Sequence, residues 1–402
     1  MHILYLSQLV PYPADAGPKV RSLHVIEYLA SAGHDVTLVA FSRPTDSEAA
    51  INHLKGFCKQ VYTVPMDRSR LKDAGFFAKS LVSGEPFLMA RDYLPAMHNL
   101  LQKLVHEFEF DAVHADQLWM APYALEVGKL AKNDIKLVLD QHNAVYLVPE
   151  RMAGNSSNMV KKWLLGLEGT KLAKYEVDTC AKFDEVVWVT DDDRNALKQV
   201  ANGRASQITG PTIPICVDPT AKLSIERNQA GKRVTFLGGL HWPPNAEGIV
   251  WFYQNVWPEI LKQVPDAQLT IIGKNPPAEL EEGGVQANVE VTGYVDDPVP
   301  YLEDTAVFIV PLHSGGGMRV KIIDGWSWGL PIVSTTIGAE GIQYHNNVDI
   351  CIADSAADFA RSSIELLQNP AKANALSTEG RNTVETHFSW QKTYKAWDQI
   401  YG

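Results

Sequence analysis

Short apolar runs rich in β-branched residues recur along this chain, and amphipathic stretches separate several of them. The runs are HILYLS, DVTLVAF, AVHA, KLVLDQ and EVVWVT, then RVTFLGG, QLTIIG, VEVTG, AVFIVPL and PIVSTT. Alternation of short buried strands with helices is typical of parallel sheets that are covered on both faces. The sequence therefore predicts an α/β fold built from doubly wound, Rossmann-like sheets.

This alternating pattern runs twice. Between residues 205 and 232, Pro, Gly and charged residues interrupt it, and a new strand then starts. A chain of 402 residues also exceeds the usual size of one hydrophobic core. We predict a first domain over residues 1–207 and a second over 208–387. Apolar side chains at helical spacing predict a further helix over 388–402, which fits against either domain and which we assign to the first.

The charge balance and the cysteines exclude several classes of protein. The 47 acidic and 36 basic side chains give a net charge of −11, which argues against nucleic acid as a partner. The cysteines are too far apart for a metal or redox motif: Cys58, Cys180, Cys216 and Cys351. No apolar stretch reaches membrane-spanning length, and the first residues lack a basic leader and a cleavage site. We expect a cytoplasmic protein whose cysteines are reduced core residues.

A glycine triplet follows the apolar run AVFIVPL, at Gly315, Gly316 and Gly317. A helical apolar stripe comes next, and Gly329 lies where a helix C-cap glycine belongs, just before a proline. The triplet is thus predicted to form a strand-to-helix turn. Ligands of open α/β sheets bind at such turns, where free backbone N–H groups attract anions and glycine allows close approach.

Two cations and a carboxylate accompany this turn. Arg319 and Lys321 would place two positive charges at the helix start, enough to neutralise a diphosphate without a metal ion. Asp324 lies one turn beyond Lys321, where a carboxylate can accept hydrogen bonds from a ribose. The alternative is a flexible glycine turn with a surface pair between Lys321 and Asp324.

Five segments in order resemble those of the GT-B-fold retaining glycosyltransferases of family 4. They are PYPADAGPKVRSLHVIEYLASAGHDVTLVA, DQHNAVY, VTFLGGLHWPPNAEGIVWF, VTGYVDD and the glycine-triplet segment. The resemblance implies two Rossmann-like domains that face a cleft. It also implies transfer of a sugar from a nucleoside diphosphate sugar to an acceptor hydroxyl, with retention of configuration and without a metal.

The resemblance also assigns roles around the triplet. The family has two glutamates eight positions apart, of which the second, on the ribose, matches Asp324, while the first falls on Gly316. Because that side chain is missing, the resemblance does not determine the contacts to the donor sugar or the identity of that sugar. The family's Arg after the first strand of the second domain is replaced by Gly238 and Gly239, so the cations at 319 and 321 resemble the substitutes found in a glycine-triplet subgroup.

Further donor contacts follow from the same resemblance. Gly17 lies in a loop that faces the donor phosphate, Tyr294 and Val295 match the loop beside the base, and Met318 belongs to the triplet segment. Gly238 and Gly239 offer further amides to phosphate, although an ordinary turn explains them equally well. Prolines at 243 and 244 suit the first turn of a helix, which residue 245, an asparagine, or the preceding loop would cap.

Candidate acid–base groups follow two apolar runs of the first half. His114 and Asp116 end one run, and His142 with Asn143 follows another. Related enzymes have a His or an acid beside the reacting sugar at the first of these places, so we favour Asp116 and His114 as catalytic groups. His142, Asn143 and Arg21 are acceptor-side candidates, although a structural histidine and a surface cation are the commoner roles.

Two segments have alternative interpretations. Thr190 before three aspartates is predicted to be a helix N-cap with favourable first-turn charges, rather than part of a metal site. Residues 67–94 mix cations with apolar side chains, namely Phe76, Phe77, Leu81, Phe87 and Met89. That face fits either an anionic membrane surface or packing in the core.

Together these features predict a metal-independent hexosyltransferase of bacterial polysaccharide or glycolipid assembly. Its donor would be a UDP- or GDP-sugar, and its acceptor a lipid-linked or glycan hydroxyl reached from the inner face of the cell membrane. Two alternatives stay open: a nucleotide-sugar epimerase on the same fold, and a non-catalytic partner subunit that has lost the family glutamate at 316.

Overall fold

Two parallel six-stranded sheets form the framework of the protein. The computed structural model describes residues 1–66, 69–220, 224–228, 230–281 and 288–402. The first sheet has the order β3-β2-β1-β4-β5-β6 and the second β12-β11-β10-β7-β8-β9. Each strand pairs in parallel with its neighbours. The predicted α/β class with two doubly wound sheets is confirmed.

The strands and helices alternate along the chain. The strands are β1 His2–Ser7, β2 Asp35–Ser42, β3 Gln60–Pro65, β4 Ala112–Asp116, β5 Lys136–Gln141, β6 Glu185–Trp188, β7 Arg233–Leu237, β8 Gln268–Ile272, β9 Val289–Gly293, β10 Thr305–Val310, β11 Ile332–Ser334 and β12 Cys351–Ile352. The helices of the first half are α1 Gly17–Ser31, α2 Glu48–Leu54, α3 Arg70–Ser83, α4 Phe87–Asp92, α5 Pro95–Glu107, α6 Ala121–Leu130, α7 Leu147–Asn155, α8 Met159–Cys180 and α9 Asp191–Val200. Those of the second half are α10 Pro243–Asn255, α11 Trp257–Gln263, α12 Ala278–Glu281, α13 Val299–Leu302, α14 Val320–Ser327, α15 Ala356–Gln368, α16 Pro370–His387, α17 Trp390–Thr393 and α18 Asp398–Tyr401.

The chain divides into two compact units. The first comprises Met1–Cys216, Gly316–Met318 and Trp390–Gly402, and the second comprises Val217–Gly315 and Arg319–Ser389. The division after Cys216 lies within the interval 205–232 where the pattern breaks; residues 221–223 and 229 of that interval lie outside the described residues. Residues 390–402 form two short helices around a 3-10 turn.

Both faces of the first sheet are buried. On β1, Leu4 and Leu6 join one apolar cluster, while Ile3 and Tyr5 join another on the opposite face. Side chains of a strand alternate between its faces, so this division shows that helices cover both sides. Tyr394 and Trp397 pack in the second of these clusters.

In each sheet the order of the strands reverses at one place. β1 lies between β2 and β4, and β7 lies between β8 and β10. Loops that leave neighbouring strands on opposite sides of such a point open a crevice at their carboxyl ends, which is where α/β proteins bind ligands. The residues after β1, β4 and β5, and those after β7 and β10, are therefore the places to look for sites.

The apolar face predicted within residues 67–94 is divided in the structure. Phe77 and Leu81 are exposed, Phe87 packs edge-on against Phe77, and Met89 is buried. Residues 67 and 68 lie outside the described residues. In the parts of the chain that are described, no helix is both long enough and apolar enough to cross a membrane.

Candidate functional site

The glycine triplet lies between β10 and α14, as the sequence predicts. β10 is buried along its whole length, and Gly315 and Gly317 have the left-handed φ values of 109° and 75° that favour glycine. At the other end of α14, Gly329 also has a positive φ, and the N–H of Leu330 donates to the carbonyl of Gly325. This Schellman cap ends the helix where the sequence places its end.

Lys321 lies against the turn that follows β7. Its Nζ donates to Oδ1 of Asn245 at 2.9 Å and lies 4.6 Å from the ring centre of Phe236. A Cβ at Gly238 would come within 2.6 Å of that Nζ, so a larger residue there would displace the ammonium group from its present position. The cation predicted from α14 and the glycine predicted after β7 are thus brought together.

Asn245 does not cap α10, which excludes one of the two expected caps and leaves the preceding loop, where Trp242 lies. Trp242 is the N-cap residue and makes no side-chain cap bond. The amide of Asn245 instead donates to the carbonyl of Gly239 at 2.9 Å and accepts from Lys321. Its side chain therefore links the β7 turn to the start of α14.

The electrostatic environment of Lys321 favours an anion. Burial, together with the nearby charge of Arg319, lowers the pKa of Lys321 to about 7. An ammonium group in this position gains its proton more readily when a negative charge is added beside it. The pair of cations, which we call the seat, is therefore suited to an anionic ligand.

The other predicted donor contacts are divided between the two units. Arg319 is the N-cap residue of α14, and a Cβ at Gly315 would lie 3.0 Å from its Nη2. Asp324 is half-buried on the same helix. Tyr294 and Val295 follow β9 at the same edge of the sheet, and Tyr294 is exposed. Gly316 and Met318 belong to the first unit, as does Gly17, which opens α1.

In the first unit, the ends of three adjacent strands supply a polar cluster. Nε2 of His142, just after β5, lies 2.8 Å from Oδ1 of Asp116 at the end of β4. The other oxygen of Asp116 accepts hydrogen bonds from Ser7 at 2.9 Å and Ser22 at 2.8 Å. Tyr5 donates to Oδ1 at 3.3 Å. Asp116 is therefore a saturated acceptor that fixes the ring of His142.

The two candidate histidines differ in their access. His114 is fully buried, stacks on Tyr5 and pairs through Nδ1 with the hydroxyl of Tyr401 at 2.7 Å. His142 retains 7% exposure, and no residue that the structure describes bonds its Nδ1. The geometry therefore favours His142 over His114 as the ring that meets a substrate, whereas the sequence favoured His114. The catalytic role of Asp116 and His114 stays a prediction.

Arg21 is not a surface cation. Its guanidinium is fully buried and binds both carboxylate oxygens of Asp140 at 2.7 Å. It also donates to the carbonyls of Ile213 and Pro214. Asp140 lies 3.6 Å from the ring of His142, and the charge of Arg21 holds the pKa of this buried carboxyl well below its usual range, although burial alone would raise it. Arg21 thus stabilises the polar cluster through its ion pair with Asp140.

The same carboxylates raise the question of a metal ion. Ligand atoms of His114, Asp116 and Asp140 lie within 4.8 Å of one another, close enough to share an ion. Both oxygens of Asp140 already accept from Arg21, however, and Asp116 accepts from hydroxyl groups on two sides. The residues present fit an ion-pair network better than a metal site. Thr190, whose hydroxyl accepts from the N–H of Asp193, is the predicted N-cap of α9.

His142 is held in its charged form. Burial disfavours the charged ring, but the neighbouring charges of Asp116 and Asp140 outweigh it and raise the pKa of His142 to about 9. A protonated ring whose Nε2 faces Asp116 carries a second N–H at Nδ1, and this atom is itself buried.

Two buried acidic side chains hold the loop that carries His142 by accepting hydrogen bonds from its backbone N–H groups. Glu176 of α8 accepts from the N–H groups of Val145 at 2.7 Å and Tyr146 at 2.9 Å, and from the side chain of Gln141. Asp193 of α9 accepts from the N–H of Ala144 at 2.8 Å. The loop residue Asn143 is half-buried. No sequence motif marked Glu176, because an acid within an amphipathic helix is ordinarily a surface residue.

Comparison with known proteins agrees with this architecture. The family model described as Glycosyltransferase Family 4 matches residues 17–219, and that described as Glycosyl transferases group 1 matches residues 231–369. An uncharacterised 44.6 kDa protein in the cps region of Klebsiella pneumoniae is 24% identical over 98% of both chains.

Two solved structures illustrate the similarity of fold. Anabaena Alr3699/HepE in complex with UDP and glucose has a TM-score of 0.68 at 13% identity and covers 100% of this chain and 99% of its own. WaaG, a glycosyltransferase involved in lipopolysaccharide biosynthesis, has a TM-score of 0.63 at 13% identity over 100% of both chains. The fold is thus that of the GT-B glycosyltransferases, and the chain belongs to the glycosyltransferases of family 4, with a group 1 domain in its second half.

Proposed function

We propose that this glycosyltransferase transfers a hexose from a nucleoside diphosphate sugar to an acceptor hydroxyl, with retention of configuration and without a metal ion. The observation that carries the proposal is the seat around Lys321, in which Gly238 leaves room for the ammonium group and Asn245 orients it. Two cations within three positions supply the charge that the departing diphosphate needs.

The chemistry assigned to these residues is stabilisation of a leaving group. As the glycosidic bond breaks, negative charge develops on the diphosphate, and Arg319 with protonated Lys321 stabilises it. Burial lowers the pKa of Lys321, so its amine loses its proton more readily in the free protein. The diphosphate of the donor favours the protonated form, and the proton taken up on binding strengthens the contact between Lys321 and the diphosphate. Asp324 is proposed to hold the ribose, and Tyr294 and Val295 the base.

The first unit is proposed to bind the acceptor. His142 is proposed to lie beside the acceptor hydroxyl, with Asp116 holding the ring. A structural neighbour is described with UDP and glucose, which supports a UDP-sugar donor; GDP is the alternative base. Relatives described in a cps region and in lipopolysaccharide biosynthesis support a polysaccharide or glycolipid acceptor, reached at the cytoplasmic face of the membrane.

Calorimetric titration with UDP, GDP, ADP and dTDP tests the donor site. One of these nucleotides should bind, and Arg319→Ala with Lys321→Ala should abolish both binding and transfer. Lys262→Ala, which removes an exposed cation of the second unit, is the matched control. Normal nucleotide affinity in the double variant would overturn the assignment of the diphosphate seat.

Two further measurements address the finer points. Proton NMR of the first product formed, before any isomerisation, reports whether the anomeric configuration of the donor is kept; an inverted product would exclude retention. Turnover that is unchanged after treatment with a chelator supports the metal-independent reaction, whereas activity restored only by a divalent cation would contradict it.

A further inference from the structure

The first turn of α8 projects apolar side chains into solvent. Met159, Val160 and Trp163 are 76%, 67% and 63% exposed. Lys161 and Lys162, between them in the sequence, are exposed as well. We call these five residues the α8 tip. On a helix Trp163 neighbours Met159 and Val160, at four and three positions' distance, so the apolar groups form one continuous surface.

This surface is unusual for a soluble helix. Asn158 caps α8 by accepting from the N–H groups of Val160 and Lys161, so the tip is ordered helix rather than loop. Farther along, Glu168 accepts from the N–H of Phe87 and that of Leu88, which anchors the body of the helix to the first unit. An anchored helix whose first turn exposes a tryptophan and a methionine is typical of an interaction surface.

The charge around the tip is opposite to that of the whole protein. Residues 151–167 contain three cations and no acidic residue, whereas the chain has a net charge of −11. Lysine side chains that flank exposed apolar groups extend their charged ends toward anionic headgroups while their stems stay in the apolar layer. Tryptophan prefers the same headgroup level of a bilayer.

We propose that the α8 tip inserts into the headgroup layer of an anionic bilayer, with Trp163 and Met159 as apolar anchors and Lys161 and Lys162 on the lipid phosphates. Insertion of the tip does not depend on the proposed function. Only its role, which is to bring the first unit to a lipid-linked acceptor, rests on that function. The local cationic charge complements an anionic surface, and the combination with apolar groups is that of interfacial helices.

A second copy of the chain is a poorer occupant. A stable interface buries about 800 Å² on each partner, which a single convex helical turn does not supply. A two-fold contact through the tip would also place the lysines of one copy near those of the other. An anionic bilayer meets neither obstacle.

Flotation of the apo protein with vesicles tests the proposal without any sugar donor, so its failure is independent of donor binding. The protein should float with vesicles of phosphatidylcholine and phosphatidylglycerol, not with phosphatidylcholine alone, and less at high salt. Lys161→Glu with Lys162→Glu should weaken partitioning about thirtyfold or more, since each lysine contributes about a factor of five. Met159→Ser with Trp163→Ser should abolish flotation.

Matched controls separate the tip from general effects of charge and polarity. Lys103→Glu with Lys262→Glu makes the same charge change at two cations that are each 67% exposed, and Val348→Ser removes another exposed apolar group. Both should float as the wild type does. Equal flotation of the tip variants, or none by the wild type, would overturn the proposal. A dimer that dissociates in Trp163→Ser, seen by sedimentation velocity, would assign the tip to a second copy instead.

Discussion

Nε2 of His142 lies 2.8 Å from Oδ1 of Asp116, and the two residues come from the ends of neighbouring parallel strands. The pair joins a ring with some exposure to a carboxylate with none. Asp116 in turn accepts from Ser7 and Ser22, so β1 and α1 also fix the position of the ring. Four elements, β1, α1, β4 and β5, therefore position the ring of His142. The protonation of the ring depends on all of them.

The ionisation of His142 should make the protein less stable at alkaline pH. A base whose folded-state pKa is raised stabilises the fold fully below its unfolded value of 6.5, and this contribution is lost as the pH rises through about 9. The loss should be on the order of 3 kcal/mol. Denaturant unfolding at a series of pH values measures it, as the difference between the wild type and His142→Gln.

The control for that experiment is His24→Gln, which removes a ring paired with Glu27 at 2.9 Å near the surface. This variant should keep the wild-type loss of stability between pH 7 and 9. If His142→Gln shows the same pH dependence as the wild type, the ion pair does not hold the ring in its charged form.

Nucleotide binding should weaken as the pH rises through about 7, the pKa of Lys321 in the free protein. The protonated ammonium group binds a diphosphate, so binding raises its pKa and takes up a proton above that pH. Lys321→Arg should remove this dependence because arginine stays charged. Calorimetry in buffers of different ionisation enthalpy counts the protons directly; no uptake by the wild type at pH 8 would contradict the assignment.

Gly238→Ala should weaken nucleotide binding about tenfold to a hundredfold, the value of one or two charge-assisted hydrogen bonds. The added Cβ would lie 2.6 Å from Nζ of Lys321 and displace it from Asn245. Gly166→Ala, at a helical position of the first unit with open space around it, is the control and should leave affinity unchanged. Calorimetric titration of both variants with UDP gives the comparison.

Glu176→Gln should lower turnover about tenfold or more and leave nucleotide affinity unchanged. An amide cannot accept from Val145 and Tyr146 at both of its ends, so the loop that carries His142 loses one of its anchors. The alkaline limb of the pH–rate profile should move as well. Glu168→Gln, on the same helix but bound to the N–H groups of Phe87 and Leu88, is the matched control. Equal profiles for the two variants would refute a role in positioning.

Much of the framework could be predicted from the sequence. The apolar runs identified ten of the twelve strands in the described residues and missed β3 and β12. β3 is only partly buried, and β12 has two residues, so neither shows the continuous apolar pattern of a central strand. A central strand can be predicted from the sequence because both of its faces are covered, which makes its residues a nearly continuous apolar run.

The sequence predicted the parts of the candidate site whose residues lie close together along the chain. It did not predict contacts between residues that are far apart in the sequence. The glycine turn and its cations lie within seven positions of one another, so their spacing alone placed Lys321 beside the turn. The contact of Lys321 with Asn245 joins residues 76 positions apart and needed the structure. Arg21 was misjudged for the same reason, because its partner Asp140 is 119 positions away.

The bond between Tyr401 and His114 has a practical consequence for dissecting the protein. Trp397 and Tyr401 fill the apolar cluster beneath β1 together with residues that precede Cys216. A fragment that stops at residue 216 would leave this hole open and the buried imidazole without its hydroxyl partner. Separate expression of the first unit therefore calls for residues 390–402 to be grafted on through a linker or added as a complementing peptide.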